Sequence, residues 1–228
     1  MSENPKGVWP RAVLFDLDGT LIDSAPDITA AVNELLAHHL KGPLALDRVR
    51  RMIGNGVEKL VERAFAAAGA PRQGKELNAA VVEMMEIYGR HPTNLTTLMP
   101  GAVEVVAGFA AKGIKLAVVS NKPKALTGEI LVHYGFSTHL SAMQGAEEGL
   151  AKKPAPDMLL QVLHHLDVTP DMALFVGDSR VDVEAAQAAK MKVVLVQGGY
   201  PHEALSSLGA DRIFDNLDQL LQTDLASL

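Results

Sequence analysis

Apolar residues recur on two different periods along the chain, and the change between them falls near residue 100. Ala12-Val13-Leu14-Phe15 is an apolar run that breaks abruptly into Asp16-Leu17-Asp18-Gly19-Thr20, which fits a buried strand of a parallel sheet ending in a polar turn. Asp23-Ser24-Ala25-Pro26 then supplies caps and a proline suited to a first helical turn. Ile28, Ala31, Val32, Leu35, Leu36 and His39 follow at three- and four-residue steps, so a helix is predicted to about Leu40, where Lys41-Gly42-Pro43 stops it. Further helices are expected over residues 47–52, 57–68 and 77–88, separated by Ile53-Gly54-Asn55-Gly56 and by Gly69 and Pro71. No strand is expected between Asp23 and Met99.

From Pro100 the pattern alternates. Strands are predicted over residues 115–119, 140–143, 172–176, 192–196 and 212–214, with helices over 100–112, 123–134, 156–166 and 183–189 and a short one at the C-terminus. Strand and helix in alternation imply a parallel sheet with helices on both faces, because each crossover must return the chain to the same sheet edge. The expected fold is therefore α/β: a doubly wound, Rossmann-like parallel sheet formed by residues 1–22 and 99–228, with residues 23–98 inserted as an α-helical cap domain.

Ligands bind an open α/β sheet at the carboxyl ends of its strands, and polar residues collect there in this chain. Asp16 and Asp18, two apart on an extended strand, leave on the same side, and like charges so close call for a cation or a shared proton. A plain turn accounts for an Asp-x-Asp-Gly stretch equally well. A calcium loop does not, because the glycine required at its sixth position is Leu21. After Val119, Ser120-Asn121-Lys122 offers a hydroxyl and an amide at a helix start, as an anion site or as an ordinary cap. Lys153 precedes two prolines in Lys152-Lys153-Pro154-Ala155-Pro156, held in place by them or merely solvated. Gly177-Asp178-Ser179-Arg180-Val181-Asp182 adds two acids after another strand, which suits a metal or a simple turn.

Composition narrows the chemistry. With no cysteine among 228 residues, disulfides, thiolate nucleophiles and cysteine-bound metals are excluded, and a hard metal would need oxygen ligands. A formal charge of -6 and a pI near 5.7 argue against nucleic acid or an anionic membrane as partner. The opening residues lack the apolar core of a signal peptide and no apolar run reaches membrane-spanning length, so a cytoplasmic protein is expected. Eight histidines without metal-type spacing and nine methionines read as surface residues and core filler.

Taken together and in order, Asp16-Leu17-Asp18-Gly19-Thr20, Ser120-Asn121-Lys122, Lys153-Pro154 and the segment from Gly177 to Asp182 resemble the four motifs of the haloacid dehalogenase-like hydrolases, over nearly the whole chain. Lys190 departs from the family, which usually has glycine at the end of the helix after the fourth motif. The resemblance implies that Asp16 is a nucleophile forming an aspartyl phosphate and that Asp18 protonates the leaving oxygen and later activates water. It implies Ser120 and Lys153 on the transferring phosphoryl group, and Mg²⁺ held by Asp16, the backbone carbonyl of Asp18 and Asp178, with Asp182 orienting its neighbours. Thr20 and Asn121 are expected to touch substrate.

Within the family, an acid at Asp18 disfavours the dehalogenases and phosphonate-cleaving members. Ile28, where the β-phosphoglucomutases place a histidine, disfavours a mutase. Asp23-Ser24-Ala25-Pro26-Asp27 and Ile53-Gly54-Asn55-Gly56 look most like the phosphoglycolate phosphatases, which implies a small phosphate ester as substrate, 2-phosphoglycolate first. A sugar phosphate, a nucleotide or pyrophosphate is the alternative. Gly54, Asn55 and Gly56 are then expected to aim backbone N–H groups at a small anion, although an interhelix turn explains the same residues. The reading from another class is an aspartyl-phosphorylated signalling domain, which needs neither a lid nor Asp18. A monomer or homodimer is expected.

Overall fold

Alternate side chains of a strand point to opposite faces of its sheet, and strand β1 (Ala12–Phe15) buries all of its residues, so both faces must be covered. They are. In the computed structural model, which describes residues 9–228, β1 lies near the middle of a six-stranded sheet. Residues 1–8, and with them most of the opening segment and the start of the predicted core segment 1–22, lie outside the described residues.

β1 is followed by the two-residue strand β2 (Ile22–Asp23) and then by helices α1 (Ala25–His38), α2 (Leu46–Arg50), α3 (Val57–Ala67) and α4 (Gly74–Gly89). The chain returns through β3 (Thr97–Leu98) and continues as α5 (Ala102–Ala111), β4 (Lys115–Pro123), α6 (Lys124–His133), β5 (Ala142–Ala146) and α7 (Asp157–Leu166). It ends with β6 (Ala173–Gly177), α8 (Arg180–Ala188), β7 (Lys192–Val196), β8 (Arg212–Phe214) and α9 (Asp218–Gln222). The sheet order is β5-β4-β1-β6-β7-β8, with every neighbouring pair parallel.

Val13, Phe15, Val118, Val176 and Val194 face α5 residues such as Val105 and Phe109 on one side. Leu14, Val119, Phe175 and Leu195 meet Met158 and Val162 of α7 and Val183 of α8 on the other. The helices α1 to α4 enclose a separate apolar cluster that includes Val32, Leu35, Val61, Phe65 and Met84, joined from the sheet side by Leu126 and Tyr200. Each cluster buries side chains worth roughly 1.5–3 kcal/mol apiece against exposure, so each layer has its own source of cohesion.

The expectation of no strand between Asp23 and Met99 is corrected. Asp23 pairs with Thr97 and Ile22 with Leu98, in a short antiparallel ladder where the chain leaves for the helices and comes back. Two residues per strand are too few to show a period, and both residues of β3 are exposed. Strand β4 runs past Val119 to Pro123, with a register irregularity that carries Ser120, Asn121 and Lys122. Helix α8 starts at Arg180 and not at 183, because Asp182 accepts hydrogen bonds from Ser179 N and Oγ and so builds its first turn. It ends at Ala188, and Lys190, just past the C-cap Ala189, takes φ +61°, the left-handed conformation that favours glycine, at a cost of about 1 kcal/mol.

Candidate active site

Because β4, β1 and β6 are neighbours, the polar residues at their carboxyl ends converge on one edge of the sheet. The turn after β1 is tight: the Leu17 carbonyl accepts from the N–H groups of Thr20, Leu21 and Ile22, and Gly19 takes φ +88°. Asp16, Asp18 and Ser120 line an open cleft of about 530 Å³ that is roofed by the helical segment through Ile53, Val57, Leu60, Met84 and Tyr88.

The two aspartates of the turn face different partners. Asp16 belongs to a buried cluster with Asp178 and Asp182, in which one carboxylate oxygen from each lies within 4.8 Å of the other two. Lys153, with no exposed side-chain surface, sits 2.9 Å from Asp16 Oδ1 and 2.7 Å from Asp182 Oδ1, and also donates to the Val119 carbonyl at 3.0 Å. The Asp16 contact is an ion pair outside hydrogen-bond alignment, so Asp16 Oδ1 is a buried oxygen without a hydrogen-bond partner. Burial pushes Asp16 up to about 6, with Lys153 opposing and Asp182 adding to the rise. Burial and then Asp182 and Asp16 push Asp178 well above the ordinary carboxylate range. Burial works against the Lys153 ammonium, but Asp16 and Asp182 outweigh it and the net shift is upward.

Three carboxylates against one ammonium leave a buried excess of negative charge, and every donor is an oxygen. This donor set fits a hard divalent cation. Asp182 is the member already committed: Oδ1 takes Lys153, and Oδ2 accepts from Asp178 N, Ser179 N and Ser179 Oγ. Asp178 is held by a glycine cradle and by the Tyr200 N–H, which donates to its Oδ2 at 2.5 Å. A Cβ on Gly199 would lie 2.6 Å from Asp178 Cγ, and one on Gly19 3.0 Å from it.

Asp18 has a separate environment. It accepts from Ser24 Oγ at 2.5 Å and pairs with Lys122 Nζ at 3.0 and 3.2 Å. Lys122 also lies over the Tyr88 ring of α4 at 4.7 Å. Two carboxylates of one turn thus have unlike surroundings, the condition under which one attacks and the other exchanges protons. Ser120 is buried on the same edge; its Oγ accepts from Lys122 N at 3.3 Å.

Three expectations change. Thr20 is fully buried and lines a different cleft with Met99 and Val196, because the turn at Gly19 directs it away from the aspartates. Asn121 does not offer its amide to an anion: Nδ2 donates to the Gly54 carbonyl at 2.9 Å and the Lys153 carbonyl at 2.8 Å, tying the helical segment to the sheet edge. Gly54 and Gly56 line the catalytic cleft with φ of +111° and +86°, but Asn55 lines a neighbouring surface cleft beside Arg180 and His202.

The sequence reading gave Ser24 only a capping role and Lys122 only a place in a motif, and assigned no catalytic or binding role to either, nor to Tyr88 or Tyr200. Tyr200 Oη donates to Asp23 Oδ1 at 2.7 Å and accepts from Ala25 N at 3.0 Å, so the loop that fixes Asp178 also fixes the start of α1. No periodicity marks such a residue. Lys122 carried one signal: it comes three residues after the apolar run that ends at Val119 and two after Ser120.

The sequence model of the haloacid dehalogenase-like hydrolase family matches residues 13–196. A phosphoglycolate phosphatase of Rhodospirillum rubrum is 38% identical over 215 residues, covering 92% of this chain and 89% of its own length. Phosphoglycolate phosphatase 1 of Pseudomonas aeruginosa is 37% identical, covering 93% of this chain and 79% of its own. Among solved structures, a protein of Haemophilus somnus described as a predicted phosphoglycolate phosphatase superposes with a TM-score of 0.87 at 30% identity, over 93% of this chain and 96% of its own.

Proposed function

The chain belongs to the haloacid dehalogenase-like hydrolase family, and from that premise we propose that it is a Mg²⁺-dependent phosphatase that hydrolyses 2-phosphoglycolate to glycolate and phosphate through Asp16. The observation that carries this reading is the split between the two carboxylates, Asp16 among acids and Lys153, Asp18 beside Lys122 and Ser24. The phosphoglycolate phosphatases among its relatives support a phosphomonoesterase, and the finer choice of substrate rests on them and on the helical segment acting as a cap.

In the first transfer an Asp16 oxygen attacks phosphorus, the bond to the ester oxygen breaks, and Asp18 gives that oxygen its proton. In the second, Asp18 takes a proton from water while the water oxygen attacks phosphorus, and the carboxylate of Asp16 is restored. Attack by an anion on an anion is the obstacle: at ~4 Å and an effective dielectric of ~20, each pair of unit charges repels by ~4 kcal/mol. Lys153 and Ser120 would hold the transferring oxygens. Mg²⁺, held by Asp16, Asp178 and the Asp18 backbone carbonyl, would supply further neutralisation of charge between nucleophile and phosphate. Ile28, buried against the cleft, offers no base to a competing acceptor, which favours water.

Turnover of a panel of small phosphate monoesters with Mg²⁺ tests the proposal. Activity is expected to disappear on exhaustive EDTA treatment and return with Mg²⁺, and 2-phosphoglycolate should be the best substrate. Full activity in EDTA would falsify the metal assignment, and a preference for sugar phosphates or nucleotides would remove the substrate assignment while leaving the phosphatase.

The glycine cradle gives a second test. In Gly199→Ala the added methyl group collides with Asp178, and relief of such overpacking typically costs about 1–3 kcal/mol. The Mg²⁺ concentration for half-maximal activity should rise by about ten-fold or more. An unchanged Mg²⁺ requirement would mean that Asp178 is not a ligand.

A further inference from the structure

We propose that Lys122 recognises the acid end of the substrate, as the cation that pairs with a carboxylate one carbon away from the ester oxygen. The inference rests on the 2-phosphoglycolate reading and extends it to a named contact. Among the described residues lining the catalytic cleft Lys122 is the one basic residue, and most of the others on the roof are apolar. A carboxylate entering such a cleft loses water and needs a counter-charge there.

Lys122 is placed to supply it. Its Nζ touches both oxygens of Asp18, at 3.0 and 3.2 Å, and Asp18 is the group that faces the leaving oxygen in the proposed reaction. In 2-phosphoglycolate a single methylene separates that oxygen from the carboxylate, so a cation in contact with Asp18 is within reach of the carboxylate. The ammonium lies over the Tyr88 ring at 4.7 Å, and its side chain is 3% exposed. Helix α3 starts at the same cleft through Gly56 and Val57, and its dipole favours an anion in that place. A phosphate ester of similar size with a neutral tail would leave the ammonium with Asp18 alone.

Lys152 is the rival cation. Its Nζ lies 3.2 Å from where a Cβ on Gly56 would be, yet it does not line the cleft.

The experiment compares kcat/KM for 2-phosphoglycolate and for 2-hydroxyethyl phosphate, its neutral counterpart, in the wild type, Lys122→Gln, Lys122→Arg and Lys152→Gln. The readout is the ratio between the substrates, which a general loss of activity does not move. The wild type is expected to prefer 2-phosphoglycolate. Lys122→Gln should lose that preference by about 30-fold or more, chiefly through KM. Lys122→Arg should keep most of the preference, and Lys152→Gln all of it. No preference in the wild type defeats the 2-phosphoglycolate reading itself. A wild-type preference that survives in Lys122→Gln, or is lost in Lys152→Gln instead, overturns the role of Lys122.

Should Lys122→Gln fail to fold, the wild type answers the same question. In ¹⁵N-lysine-labelled protein saturated with orthophosphate, the Lys122 Nζ resonance should move on titration with glycolate and stay in place with ethylene glycol. An unmoved resonance overturns the proposal.

Discussion

Asp16→Asn is expected to fold as the wild type does and to lose turnover by ~10⁴-fold or more, the scale set by removing a nucleophile that acts as part of a unit. An amide has nearly the shape of a carboxylate but does not attack phosphorus, so the effect falls on chemistry. The fold should tolerate it. Lys153 keeps its 2.7 Å contact with Asp182 and its bond to the Val119 carbonyl, so no buried ammonium is stranded. The substitution also removes a carboxylate that burial and Asp182 disfavour, so the melting temperature in EDTA should be equal or higher. Asp18→Asn gives the contrasting pattern. It should fail with poor leaving groups and still accept a phosphoryl group from acetyl phosphate, whose leaving group needs no proton. Acid-stable and base-labile phosphate found on Asp16→Asn in stoichiometric amounts would place the nucleophile elsewhere.

Much of this arrangement was legible from the chain because an abrupt change from apolar to polar residues marks a strand's end. Asp16 and Ser120 follow such a run directly, Asp18 and Asp178 come within three residues of one, and the sheet order then brings them to one edge. The helical segment showed itself through a sustained period, and α1 begins and ends within two residues of its predicted limits. What was hidden depends on contacts between distant residues. Lys122 and Asp18 stand 104 positions apart, Tyr200 and Asp23 177 apart, and neither pair has a local signature. Thr20 looked equivalent to its neighbours until the positive φ at Gly19 turned it inward. Asn121 was assigned by residue type, as a donor next to a phosphate-binding hydroxyl. Its donors are satisfied by Gly54 and Lys153, so it acts on the position of the Gly54 turn and the lysine loop.

Lys153→Met is the substitution expected to damage both fold and chemistry, because one ammonium serves two acids. Its side chain is wholly buried between Asp16 and Asp182, and methionine fills a similar volume without charge. Removing one partner of a buried ionic group leaves the others uncompensated, at about 3–5 kcal/mol. For a chain of this size, that is a fall of roughly 10 °C or more in melting temperature. The loss should be largest in EDTA at neutral pH. Protonation of the stranded acids relieves it as the pH falls, since burial already favours their neutral forms at Asp16 and Asp178. Mg²⁺ should recover part of the stability, because a divalent cation in the acid cluster replaces some of the missing positive charge. Turnover should not recover with it: the cation offsets the acids but does not occupy the side of the phosphoryl group that Lys153 would hold. Thermal melts with and without Mg²⁺, set beside turnover, separate the two roles. A variant that melts like the wild type in EDTA would show that the acids are neutral without Lys153. One that regains full activity with Mg²⁺ would reduce the lysine to a structural counter-ion.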